Sequence, residues 1–405
     1  MVAYNRAPLL STELPDLIDA NSQDRFASIR PYYDNEVRGV LDRLLNHDEL
    51  LDVMARLRFR WMPTWLRVLV RPLVRSRLST QLAGVDSVLA FQSVVEGYMT
   101  AMIESHTSAF TVSGLSNIHS AKANLFIGNH RDIALDPAFL NYALYQNKLD
   151  TVRIAIGDNL VTRDYVADLM RLNKSFIVKR SVKGPRQMLA AYKELSDYIR
   201  YSLIDENSPV WIAQREGRAK DGWDRTEPAI VKMICMSKDK TQSLSEHVES
   251  LAITPISISY EWDPCDAAKA RELYLKESEG KYEKAENEDV ASIGLSIRGE
   301  KGAVHVSFGT PLSGEFEDAD DVARAIDKQV LELYQLHASN LAAWKRLNGS
   351  LPDGHSATAD LDVADAELQR RLDAIPEPHR PYMLAMYANP VDNLRAFRAE
   401  LAAAC

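Results

Sequence analysis

The stretch Asn129-His130-Arg131-Asp132-Ile133-Ala134-Leu135-Asp136-Pro137 places a histidine shortly before two carboxylates, the set of groups a general base needs. It follows an apolar run, Leu125-Phe126-Ile127-Gly128, and leads into Ala138-Phe139-Leu140. A buried strand over 125–127 leaves His130 just past its carboxyl end, the edge where open α/β sheets gather ligands. Asp136 before Pro137 reads as a helix start, with the carboxylate capping free amides and proline at the first helical position. The same carboxylate is placed to accept the Nδ1 proton of His130. That leaves Nε2 as the base and steadies the imidazolium that forms. Asp132, two residues from the histidine, is a rival for that role.

The elements that must hold this loop are legible as a change of texture along the chain. Residues 1 to about 110 have helical spacing, with Val37, Val40, Leu41, Leu44 and Leu45 on one face. From about 120 to 312, short apolar runs recur at 125–127, 152–156, 176–178, 210–213, 253–258 and 304–308. Helical stretches lie between several of them, and Met188, Ala191, Tyr192, Leu195, Tyr198 and Ile199 share an amphipathic face. The alternation predicts an α/β fold: a mixed central sheet flanked by helices, with helical N-terminal and C-terminal extensions. The expected division is 1–110 (helical), 111–315 (α/β) and 316–405 (helical). Asp263 to Asp289 is charged and helix-prone, an excursion from the sheet, and Pro376, Pro378, Pro381 and Pro390 punctuate a tail expected to wrap a surface.

Two further segments carry charge at strand ends. Phe176-Ile177-Val178-Lys179-Arg180-Ser181-Val182-Lys183-Gly184 ends a strand in a basic group, and an arginine fork suits a phosphomonoester. Gln214-Arg215-Glu216-Gly217-Arg218-Ala219-Lys220 follows the strand at 210–213, and Gly217 permits close backbone approach. In this order, the blocks resemble those of the glycerophospholipid acyltransferase superfamily, and particularly its glycerol-3-phosphate acyltransferase branch. Gly157-Asp158-Asn159-Leu160, Pro255-Ile256-Ser257-Ile258 and Phe308-Gly309-Thr310-Pro311 extend the resemblance over about residues 120 to 312. The family's histidine block has four residues before its aspartate, whereas five separate His130 from Asp136. Asp136 remains the favoured partner because Asp-Pro-Ala-Phe-Leu continues the family's pattern, and the added residue must bulge the loop.

The resemblance implies transfer of a fatty acyl group from acyl-CoA or acyl carrier protein to a hydroxyl of glycerol 3-phosphate or a related phosphorylated glycerol-type acceptor. His130 is then the base and Asp136 its orienter. Arg131, Lys179, Arg180, Lys183, Glu216, Gly217, Arg218 and Lys220 are the implied substrate-binding residues. A hydrolase using the same dyad on water, or a non-catalytic lipid-binding member, are the alternatives.

The chain has 405 residues, 46% hydrophobic and 26% charged, with a formal net charge of -9. That balance gives no support to nucleic-acid binding. Cys235, Cys265 and Cys405 are far apart and odd in number, which fits a reducing compartment and no metal centre. Met1 to Asp16 lacks the long apolar core of a secretory signal. His106, His119 and His305 read as packing or surface residues. No phosphate-cradling glycine loop or dinucleotide fingerprint is present, so no cofactor is implied. Between Arg56 and Arg77 the arginines 56, 58, 60, 67, 71, 75 and 77 alternate with Trp61, Trp65, Leu69 and Leu73, which suits the surface of an anionic membrane. The expectation is a cytoplasmic protein, peripheral at the inner face of the cell membrane.

Overall fold

The computed structural model describes residues 24–59, 63–118, 122–285 and 288–404. Residues 1–23, Arg60, Trp61, His119 and Cys405 lie outside them, as do the expectations placed there. Seven strands form one sheet: β1 (Ala109–Ser113), β2 (Leu125–Gly128), β3 (Arg153–Gly157), β4 (Ser175–Val178), β5 (Val210–Ala213), β6 (Ile253–Tyr260) and β7 (Ala303–Phe308). Their order across the sheet is β1-β7-β6-β2-β5-β3-β4. The five strands from β6 to β4 run parallel, whereas β7 is antiparallel to β6 and parallel to β1. The sheet is therefore mixed, as the sequence predicts. β2 and β6 are buried at every position, the pattern of strands covered on both faces.

Alternate residues feed two cores. Leu125, Ile127, Val210, Ile212 and Ile253 join one, while Phe126, Trp211, Ile256 and Ile258 join the other. Helices cover both faces. Before the sheet come α1 (Asp34–Leu45), α2 (Asp48–Arg58), α3 (Thr64–Gln81) and α4 (Val88–His106). Among the strands lie α5 (Leu135–Gln146), α6 (Asp164–Leu172), α7 (Pro185–Ile204), α8 (Pro228–Ile234), α9 (Leu244–Ser250), α10 (Asp266–Glu279) and α11 (Glu288–Arg298). After β7 come α12 (Ala319–Glu332), α13 (Ala338–Asn348), α14 (Ala359–Asp373) and α15 (Arg380–Ala404).

Two details differ from expectation. β1 falls across residue 110, where the sequence reads as helix, because its Ala-Phe-Thr-Val-Ser is a short edge strand with no apolar run. In the tail, α15 continues through Pro390 over 25 residues. Its apolar stripe, including Met383, Met386, Tyr387 and Val391, packs on α13, α14 and Trp262, which holds the helix together past the missing amide.

Candidate active site

The parallel strands deliver the expected site segments to one edge. Just past its end, β2 leads to His130, β3 to Asp158, β4 to Lys179-Arg180 and β5 to Gln214 through Arg218. The approach to His130 needs glycine at 128, since a Cβ there would lie 2.5 Å from Ile256 Cγ1 and 2.8 Å from its carbonyl oxygen. Asn129 then locks the strand end to β6, donating from Nδ2 to the Ile258 carbonyl at 2.9 Å and accepting the Ile258 amide at 2.8 Å.

His130 Nδ1 lies 2.8 Å from Asp136 Oδ2. The imidazole is partly open, with its ring 5.7 Å from that of Trp211, and the carboxylate beneath it is buried. The same oxygen accepts the amides of Arg131 at 2.6 Å and Asp132 at 2.9 Å, and Oδ1 accepts the Tyr260 hydroxyl at 2.7 Å. Acceptance of this many donors holds the carboxylate aimed. Burial, with the neighbouring Asp136 charge, pushes the Tyr260 phenol well above its ordinary value, so it stays a donor.

The extra residue is absorbed by Asp132. Helix α5 starts at Leu135, so Asp136 sits inside its first turn and turns back toward the loop rather than capping it. Ala134 is the N-cap residue, and Asp132 supports the entry to the helix from the loop, its Oδ1 accepting the amides of Ala134 at 3.0 Å and Leu135 at 2.8 Å. Its other oxygen accepts the Ser296 hydroxyl from α11. Asp132 is therefore no rival for the histidine. Burial and the nearby Asp136 raise its pKa, against the hydrogen bonds from Ser296 and Leu135.

The expected substrate ligands divide into two groups. Arg131 is buried and directed inward: its guanidinium pairs with Asp224 and reaches the carbonyls of Ala219 at 3.4 Å and Gly222 at 3.3 Å. It clamps the 219–224 loop and is not available to a ligand. Lys179 reaches Glu194 at 2.8 Å and Ser28 at 3.3 Å on the α7 side. Lys220 is tied to the buried Glu272, and burial lowers its pKa. Neither lysine keeps a free charge for phosphate.

Five positions remain on the side of the open edge. Arg180 crosses back over Gly157 toward β5, its Nη1 3.6 Å from Glu216 Oε1, and both side chains are substantially exposed. Lys183 is exposed. Gly217 has φ +75°, which requires glycine, with nothing within 4 Å of where a Cβ would stand. Arg218 is largely covered, with Asp289 at 3.9 Å.

The acyltransferase family model matches residues 109–253, the stretch holding β1 to β5 and this loop. Dihydroxyacetone phosphate acyltransferase of Homo sapiens is 25% identical over 190 residues, 47% of this chain and 26% of that protein. Its Bos taurus counterpart is 26% identical over the same shares. Over this stretch the chain is similar to the acyltransferase family. The match spans about a quarter of the length of these relatives. The 1-acyl-sn-glycerophosphate acyltransferase PlsC from Thermotoga maritima overlays 70% of the chain and 95% of its own, at 12% identity and a TM-score of 0.38, too loosely to carry more.

The histidine loop also depends on residues that the sequence motifs do not mark. Lys269 of α10 donates to the Arg131 carbonyl at 2.7 Å, and Ala219 donates to the His130 carbonyl at 2.8 Å. From α15, Asn389 holds the Asp221 carbonyl at 2.6 Å and Asn393 that of Asp224 at 3.0 Å. Gly222, at φ +84°, fits against the Met386 carbonyl, where a Cβ would stand 2.4 Å from the oxygen. Pro390, four residues on, has no amide to claim that carbonyl. Tyr260 was detectable only as the end of a proline-led strand; its pairing with Asp136 spans 124 residues.

Proposed function

We propose that the chain moves an acyl group from an acyl thioester, on coenzyme A or acyl carrier protein, to a hydroxyl of glycerol 3-phosphate or a related phosphorylated glycerol-type acceptor. The observation that carries this is the His130–Asp136 contact of 2.8 Å at the open carboxyl edge. Held through Nδ1, the imidazole presents Nε2 outward. It takes the hydroxyl proton as the oxygen attacks the thioester carbonyl. The tetrahedral intermediate collapses, the carbon–sulfur bond breaks, and the imidazolium returns the proton to the thiolate. The amides of Arg131 and Asp132 are committed to Asp136, so the oxyanion must draw its donors from elsewhere.

Arg180, Lys183 and Arg218 are the cations in position to take the acceptor phosphate, with Glu216 orienting Arg180 and Gly217 giving the backbone room. The relatives are named for dihydroxyacetone phosphate, which offers the same primary hydroxyl and phosphomonoester. Contact with an anionic membrane surface belongs to the same reading. On α3, Leu69 and Leu73 are exposed and Arg75 and Arg77 face solvent, although Arg71 is held by Asp48 and Asp52. No helix among the described residues is long and apolar enough to cross a membrane.

The test is a purified-protein assay crossing acyl-CoA and acyl-carrier donors with glycerol 3-phosphate, dihydroxyacetone phosphate and lysophospholipids. His130→Ala should abolish transfer. Unchanged transfer in that variant refutes the base assignment, and free fatty acid released without an acceptor favours a hydrolase.

A further inference from the structure

Helix α7 is longer than the sheet it covers. Leu195, Ile199 and Leu203 form its buried stripe, with Tyr198 beside them. The same stripe continues toward the N-terminus as Tyr192 and Met188, at helical spacing, but there none of the described residues covers it. Every residue from Lys183 to Ala190 is exposed, and Leu189 is 61% exposed. The overhang from Pro185 to Tyr192 is about 12 Å long. Because α7 follows β4, it projects from the edge that carries His130 and Arg180.

Its charge does not suit the helix on its own. The first turn holds no acidic residue and carries Arg186, just after Lys183. Cations at a helix N-terminus oppose the positive end of the helix dipole. Arg186 and Lys193 lie seven residues apart, hence on one flank, beside the Met188, Leu189 and Tyr192 stripe. The first carboxylate along the helix, Glu194, is held by Lys179.

We propose that the exposed first two turns of α7 insert into the headgroup boundary of an anionic bilayer and hold the carboxyl edge of the sheet against it. The apolar stripe enters the boundary, where amphipathic helices sit roughly 5–10 Å deep. Arg186 and Lys193 meet lipid phosphates. An acidic protein fits less well, since a stable protein interface covers about 800 Å² on each partner and this is one narrow helix end. The functional meaning of the contact rests on the acyltransferase reading, but the contact itself does not.

The experiment uses the full chain with Leu189→Cys in a Cys405→Ser background, carrying an environment-sensitive fluorophore, with Cys405→Ser alone as control. Vesicles of phosphatidylcholine with phosphatidylglycerol should shift the emission to the blue, and a nitroxide-labelled lipid should quench it. Arg186→Gln with Lys193→Gln should weaken vesicle binding by on the order of twentyfold at low salt. The melting temperature, and transfer from a short-chain soluble donor, should not change. Three results overturn the proposal: cosedimentation with vesicles and no emission shift, a shift already complete without lipid, or a shift caused by a soluble acidic carrier protein but not by vesicles. If the label inserts while the unaltered chain transfers no acyl group, the functional reading fails and this one stands.

Discussion

Replacing Asp136 with asparagine separates orientation from charge in the dyad. In a catalytic triad, such a change presents the amide nitrogen to the histidine, selects the wrong tautomer and removes about 10⁴ of kcat. This site resists that outcome. The position of Asp136 Oδ2 faces three N–H groups, from His130, Arg131 and Asp132, at 2.6 to 2.9 Å. Only an oxygen satisfies them. The asparagine nitrogen is then directed to the Tyr260 hydroxyl, 2.7 Å from Oδ1, which can rotate to accept. The tautomer survives, and what disappears is the negative charge under the imidazolium. At an effective dielectric of 20 and a separation near 4 Å, that interaction is worth roughly 4 kcal/mol, an upper figure for a partly open pair. A loss of roughly 3–4 kcal/mol in the transition state corresponds to about 10² to 10³ in kcat. Asp136→Ala, which also releases the ring and leaves two loop amides unpaired, should cost more. The assay is kcat for Asp136→Asn and Asp136→Ala on the same donor and acceptor, with ¹⁵N shifts of His130 reporting the tautomer. Equal losses in the two variants, or a proton on Nε2 in Asp136→Asn, refute the reasoning.

Tyr260→Phe leaves Asp136 Oδ1 without its recorded donor in a buried site, and urea unfolding should register a loss of about 2–3 kcal/mol. Unaltered stability would mean that water or a shifted donor replaces the hydroxyl. Gly222→Ala forces a Cβ against the Met386 carbonyl at a left-handed φ, which should cost at least about 2 kcal/mol and raise KM for the acceptor more than for the donor. Equal KM values to the parent for both substrates count against a role for α15 in setting that loop. Burial raises the Asp327 carboxyl to about 6, partly opposed by hydrogen bonds from Thr226. The fold prefers the protonated form, so this contribution to stability is full below about pH 4 and is lost as pH rises through 6. Asp327→Asn should therefore gain up to about 2–3 kcal/mol over the parent above pH 7 and nothing below pH 4, and a pH-independent difference between them would contradict this.

Local chemistry made the strands and the histidine block readable. β2 to β7 coincide with short apolar runs, and the run is unbroken in β2 and β5, the central strands between covering helices. The carboxylate that meets His130 was also legible, since Asp136 lies in the first turn of the helix that follows. What sequence could not supply was the direction of each cation. Arg131, Lys179 and Lys220 stand in motif positions, yet each meets a carboxylate from a distant segment: Asp224, Glu194 and Glu272. A charge near a strand end looks the same in sequence whether it faces a ligand or a neighbouring helix. β1 escaped for a different reason, being an edge strand with alternating exposure and little apolar content.

The wider loop explains why the site draws on so much of the chain. A five-residue separation places Arg131 and Asp132 where their backbone could float, and each is held by something remote. Lys269 takes the Arg131 carbonyl, Ser296 takes the Asp132 carboxylate, and Asp224 takes the Arg131 guanidinium. Asp224 is in turn carried on a loop whose carbonyls are held by Asn389 and Asn393. Lys269, Ser296, Asn389, Asn393 and Tyr260 all lie beyond residue 253, where the family match ends. The matched stretch thus holds both His130 and Asp136 but only some of the groups that fix their geometry. Catalytic alignment to within a fraction of an ångström depends on such supporting contacts. The excursion through α10 and α11 and the C-terminal helix α15 are thus structural supports of the candidate site rather than appendages to it.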